Sequence, residues 1–277
     1  MCVKKGVLLC IGILLAAMGR AQYHEVGIMA AQAHYIGDIN PYSHIPDEFR
    51  LGGGLIYRFN MNDRFAFKSS ILYGTIAADD ANSDSEWQRN RNLSFRSDIF
   101  EVSAQVELNF LTYEIGDPLR PSTAYLFLGL SIFRFNPQGQ FEGRWVDLQP
   151  LGTEGQGIPG FDDPYALTQV SIPFGIGFKF NIWKNLAGAV EWGMRRTFTD
   201  YLDDVSSAYV DPILLEEQNG PLAAIMADRS LQPLGPEGTN AGMQRGETNR
   251  RDYYIFGGIM LTYKIGTPQI KCPTAIN

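Results

Sequence analysis

The sequence predicts an all-β chain: a transmembrane, antiparallel, up-and-down β-barrel of eight strands with long extracellular loops. Three observations predict it. Segments long enough for tilted membrane strands, about 9–11 residues or more, alternate apolar and polar positions with the period of two that belongs to a strand. The connections between these segments alternate short and long. After the first residues no run of about 20 apolar residues occurs, which excludes a spanning helix and leaves a barrel open.

The N-terminus reads as an export signal over residues 1–21. Lys4 and Lys5 precede the apolar run "GVLLCIGILLAAM", and Gly19 and Ala21 are the small residues a signal peptidase requires, so cleavage is expected before Gln22. The run is short for an uncleaved anchor, and Leu9 stands where lipidation of Cys10 would need a small residue. The barrel then occupies 22–265, and 266–277 form a periplasmic C-terminal tail. The formal charge of −7 becomes −10 once Lys4, Lys5 and Arg20 are removed, which argues against a nucleic-acid partner. Cys2 and Cys10 leave with the signal. Cys272 remains, so the exported chain has no internal disulfide, and this cysteine is either an idle thiol or a link to another chain.

Strand one, 23–36, has little pattern; Met29, Ala31, Ala33 and Tyr35 are assigned to lipid, with Gln32 and His34 inside. Strand two, 50–59, sets Leu51, Leu55, Tyr57 and Phe59 opposite Arg58. Strand three, 64–76, carries Lys68. Strand four, 96–110, alternates without interruption: Phe100, Val102, Ala104, Val106, Leu108 and Phe110 against Glu101, Ser103, Gln105, Glu107 and Asn109. Strand five, 123–135, is apolar on both faces. Strand six, 166–181, puts Val170, Ile172, Phe174, Ile176, Phe178 and Phe180 opposite Lys179; its Pro173 lacks a donor and predicts a bulge or a broken ladder. Strand seven, 186–198, sets Leu186, Val190, Trp192 and Met194 against Glu191 and Arg195. Strand eight, 252–265, sets Tyr253, Ile255, Ile259, Leu261 and Tyr263 against Thr262 and Lys264.

The long connections, 37–49, 77–95, 136–165 and 199–251, all fall at one end. A soluble sandwich gives no reason for that, whereas an outer-membrane barrel has short periplasmic turns and longer outside loops. The chain termini are then both periplasmic. The polar faces together hold Arg58, Lys68, Glu101, Glu107, Lys179, Glu191, Arg195 and Lys264, a lumen charge network. An eight-stranded barrel is just wide enough inside for side chains, so a filled barrel is expected and a diffusion pore is not.

No catalytic residue, cofactor or metal is assigned. His24, His34 and His44 share no recognisable spacing with a nucleophile; His34 with Asp38 is the best pair a lipid-modifying enzyme would have. "DDANSDSE" places Asp80, Asn82, Asp84 and Glu86 at alternate positions like half a calcium loop. Ser85 replaces the glycine of its sharp turn, and Arg91 stands where the closing glutamate belongs. "NLS" at Asn92 is a glycosylation sequon by spelling alone. The last loop is acidic and contains two short helical pieces, each with a proline near its start. Their Ile213, Leu214, Leu215, Leu222, Ile225 and Met226 either cap the barrel mouth or meet a partner.

Several stretches carry a family likeness: "YIGDINP" (35–41), "ADDANSD" (78–84), "RNLSFRSDIFEVSAQVELNF" (91–110), "YLFLGLSIFRFNP" (125–137) and "DYYIFGGIMLTYKI" (252–265). The chain resembles the PorG-like outer-membrane barrels of Bacteroidetes, most specifically at 91–110. The resemblance implies a non-enzymatic outer-membrane component of type IX protein secretion, docked on a periplasmic ring of lipoprotein subunits. On that view Cys272, in an oxidising compartment, is a candidate for an intermolecular disulfide with a ring subunit. The alternative is a standalone surface barrel for adhesion or envelope stability. Outer-membrane lipid is a partner in either case.

Overall fold

The computed structural model describes residues 23–40, 50–235 and 238–266. The expected signal peptide, His44 and Cys272 lie outside them. The described residues form ten strands: β1 (Tyr23–Ile36), β2 (Leu51–Asn60), β3 (Phe65–Asp79), β4 (Ser94–Asn109), β5 (Ser122–Arg134), β6 (Pro137–Phe141), β7 (Arg144–Asp147), β8 (Thr168–Asn181), β9 (Leu186–Thr197) and β10 (Tyr253–Ile265). Among the described residues three short α-helices lie in the loops: α1 (Glu86–Arg91), α2 (Pro212–Asn219) and α3 (Pro221–Ala227).

Eight strands close on themselves. β1 pairs with β2 on one side and β10 on the other, and the circuit runs on through β9, β8, β5, β4 and β3, every pairing antiparallel. The remaining pair, β6–β7, is a hairpin that prolongs β4 beyond the barrel through Arg96↔Gln138 and Ser97↔Pro137. Its turn, Glu142–Gly143, has positive φ at both positions, 48° and 77°, the tight hairpin geometry that follows strand twist. The sequence reading missed this hairpin because "PQGQF" offers neither alternation nor β-branched residues.

Sidedness follows from the pleat. On β4 Phe100, Val102, Val106 and Leu108 are exposed while Glu101 and Glu107 are fully buried. β8 repeats this, with Val170, Phe174, Ile176, Phe178 and Phe180 outward and Ser171 and Lys179 inward. An apolar exterior around a polar, charged interior is the arrangement hydrocarbon requires, and closure leaves no strand edge to satisfy inside it. The barrel is therefore a transmembrane one. No helix among the described residues is long and apolar enough to cross a membrane.

One strand corrects the reading and another agrees with it. In β1, Met29, Ala31, Ala33 and Tyr35 are buried and share the inward parity of Glu25, so they face the lumen rather than lipid. Their neighbours explain this: the outer half of the interior is an apolar cluster with Leu72, Ile76, Phe95, Ile99, Phe133 and Phe256. The two apolar faces of β5 separate in the same way, Leu126, Leu128, Leu130 and Ile132 outward and Tyr125, Phe127 and Phe133 inward. At Pro173 no bulge occurs. The β5–β8 ladder skips Gly129 and Leu130 and resumes at Ser131↔Ser171 in unchanged register.

Candidate functional site

The lumen is filled by side chains from all eight barrel strands. Arg58 on β2 donates from Nε and Nη2 to both carboxylate oxygens of Glu107 on β4, at 2.8 and 3.3 Å, and from Nη1 to Glu25 on β1 at 2.6 Å. Lys179 on β8 donates to the same Glu107 at 2.5 Å and to Asn109 at 3.2 Å. Lys68 on β3 pairs with Glu191 on β9 and reaches Glu107 at 3.5 Å. Tyr125 on β5 donates to Glu191 at 2.6 Å. Further out, Arg195 on β9 donates to both oxygens of Glu101, and Tyr254 on β10 donates to Glu101 at 2.8 Å. Aromatic faces cover the cations: Lys68 stands 4.4 Å over Phe127 and Lys179 4.4 Å over Tyr125.

Four carboxylates thus meet four cations, with no net charge left over. Charges removed from water are expensive unless paired and hydrogen-bonded, and each of these hydrogen-bonds to an opposite charge. Of the eight charges read from the sequence, seven come together here. The eighth, Lys264, does not: it lies near the inner end of β10, over the Tyr23 ring and 3.5 Å from Glu114, because its strand is ending there. Glu25 and the tyrosines 125 and 254 were missed. Glu25 was legible, since it shares parity with Met29 through Tyr35, and assigning the strand by its one acid would have turned β1 the right way.

Above the apolar layer the described residues of the four long connections form one cap, tied by two buried arginines. Arg91, at the end of α1, donates twice to Asp80 at 2.7 Å and also to the carbonyls of Arg245 and Asp38. Its guanidinium thus occupies the acid that the calcium-loop spelling singled out. Arg245 donates to Glu154 at 2.8 Å and to the carbonyls of Asp204 and Ala227. Glu154 in turn accepts from the amides of Ser206 and Ser207. Asn92, the sequon residue, caps α1 in the left-handed region, φ 57°, and donates to the Arg229 carbonyl.

The floor of the cap is acidic. Tyr35 donates to Asp203 at 2.5 Å and lies 3.4 Å from Asp252, one hydroxyl between two buried carboxylates. Gly37 packs against this pair so closely that a Cβ there would stand 2.1 Å from Asp252 Oδ1. Burial raises both carboxyl groups well above the usual range, and neighbouring carboxylates, Asp38 for Asp203 and Asp203 for Asp252, add to it. Burial likewise lifts Asp200 to about 7, and lifts Asp204 to about 6 against the pull of Arg245. His34 lies beside Asn40 at 3.5 Å, and Asp38 accepts from the Glu247 amide.

The six apolar residues of the last loop divide. Leu215 and Met226 are buried; Leu215 clusters with Ile158 and Ala227, and Met226 packs against Gly139 of β6. Leu214 and Leu222 are half-buried, while Ile213 and Ile225 are exposed.

Among solved structures, the attachment invasion locus protein Ail of Yersinia pestis is similar at 12% identity and TM-score 0.41, over 89% of this chain and 100% of that one. The outer membrane protein OprG from Pseudomonas aeruginosa is similar at 9% identity and TM-score 0.41, over 91% and 99%. Neisserial surface protein A is similar at 9% identity and TM-score 0.37, over 88% and 97%. No curated protein matches the chain in sequence. Residues 4–150, which include β1 to β7, match the family described as Domain of unknown function (DUF6089), and the chain belongs to that family.

Proposed function

We propose that this protein is a non-enzymatic outer-membrane barrel that serves type IX protein secretion by docking a periplasmic ring of lipoprotein subunits, with both chain termini in the periplasm. The observation that carries the non-enzymatic, scaffolding part is the lumen. Its charges are consumed by one another, and the cap closes over it, so the interior is built to hold a shape rather than to pass or transform a solute. Work then falls to the two ends. At the inner end the short turns present Leu119, 89% exposed, and Trp183, 73% exposed, beside the ion pairs of Arg120 with Asp63, Glu114 and Asp117. The secretion role itself is supported by the likeness at 91–110 to PorG-like barrels.

Mild crosslinking followed by pull-down tests it. The account expects periplasmic lipoprotein subunits with wild type and fewer with Leu119→Asp. Recovery of none with wild type contradicts the docking role. Cys272→Ser tests the proposed disulfide on a non-reducing gel: a high-mass band present in wild type should vanish. The second reading, a standalone surface barrel for adhesion or envelope stability, is favoured by the cap, whose Ile213 and Ile225 face out from an ordered, cross-tied platform. That reading expects no periplasmic partner and a phenotype from cap substitutions alone.

A further inference from the structure

On the outward positions of β5, β8, β9 and β10 the only charged residues are Arg134 and Arg196. Both are exposed, and neither guanidinium pairs with an acid of the described chain. The register gives their surroundings. Arg134 lies opposite Phe100 of β4 and Thr168 of β8, and Arg196 lies opposite Ile172 of β8 and Tyr253 of β10. Leu130, Ile132, Val170 and Phe198 around them are all exposed apolar residues. Asp98, outward on β4 two residues from Phe100, accepts from Thr75 at 2.6 Å. The sector therefore carries two positive charges on a greasy wall, with no ion-pair partner among the described residues.

An arginine on the lipid face costs about 2–4 kcal/mol at the bilayer midplane and about 0–1 near the interface. Both residues stand toward the ends of their strands that carry the long loops, so their stems lie along the apolar belt and their heads reach the outer headgroup layer. Guanidinium forks bind phosphate oxygens two at a time, and bulk water is a poor substitute beside a hydrocarbon wall. The geometry points to a headgroup site: Arg134 and Arg196 hold a phosphate-bearing lipid of the outer leaflet against β5, β8 and β9. The assignment rests on the outer-membrane reading above and adds a bound partner to it.

Native mass spectrometry of the full barrel in neutral detergent tests this with bis-phosphorylated lipid A as the probe. Its dephosphorylated form and inorganic phosphate serve as comparisons. Wild type should retain lipid A at least about tenfold more tightly than the dephosphorylated form. The double variant R134Q/R196Q should lose that difference, and R134K/R196K should keep only part of it. Heat-dependent gel migration of each variant establishes that it folds as a barrel; failure of that shift in wild type would count against the membrane reading rather than against the lipid site. Equal retention of lipid A by wild type and R134Q/R196Q would overturn the proposal. So would displacement of lipid A by millimolar inorganic phosphate, which would make the site one for free anions.

Discussion

In the lumen four buried carboxylates, Glu25, Glu101, Glu107 and Glu191, face four buried cations, Arg58, Lys68, Lys179 and Arg195. In the cap six buried carboxylates, Asp80, Glu154, Asp200, Asp203, Asp204 and Asp252, face Arg91 and Arg245. The two regions bury charge under different constraints. The lumen has no route to exchange an ion for a proton cheaply, so each acid is given a base. The cap borders water, and its excess acids reside partly in the protonated form, which burial favours. Each lumen charge thus has an opposite charge beside it, whereas the cap carries a surplus of acids and responds to pH.

The largest effect should come from breaking the balance where it is tightest. Glu107→Ala removes the shared partner of Arg58, Lys179 and Lys68, and stranding a buried charge costs about 3–5 kcal/mol. The urea midpoint for unfolding in lipid vesicles should fall accordingly. A change confined to the loops would show that the lumen pairs are ornamental. Next comes sidedness. Ala104→Arg, on the lipid face, should cost about 2–4 kcal/mol near the midplane. Ser103→Arg, one residue away in the lumen, should cost less wherever it finds an acid. Equal losses would erase the distinction between the faces.

The pH response follows in size and is local to the cap. Asp200 and Asp204 have folded values of about 7 and about 6, above the ordinary 3.8. A raised acid stabilises the folded form fully below its ordinary value and loses that contribution as pH rises through the folded value. Protection of residues 198–206 from hydrogen exchange, corrected for intrinsic rates, should therefore decline between pH 5 and pH 8. Protection of β4 and β9 should stay level. The smallest effect is Lys264→Ala, which removes a rim pair and should change stability by about 0–1 kcal/mol. A loss as large as that of Glu107→Ala would put Lys264 back into the lumen network.

Much of the barrel was legible because hydrocarbon outside and ion pairs inside force a period of two. β4 shows it from Phe100 to Asn109 and β8 from Val170 to Phe180, and seven lumen charges could be read from parity alone. Parity lost its meaning where the interior turns apolar. In β1 the lumen residues Met29, Ala31 and Ala33 look like lipid-facing ones, and only Glu25 betrays the side. The cap was largely illegible. Arg91 and Asp80 are near neighbours in sequence, but Arg245 and Glu154 lie in different loops, and Tyr35 of β1 meets Asp203 of the last loop. Such ties depend on how the loops fold over one another, which no local pattern encodes. For the same reason the split within the last helices, Leu215 buried and Ile213 exposed, could not be read from two pieces this short.

The most direct test of the central idea, a lumen closed by its own balanced charges, is conductance. Purified protein reconstituted in a planar bilayer should show no steady ion-sized channel, since paired side chains fill the lumen. A stable, water-filled conductance in wild type would contradict the account.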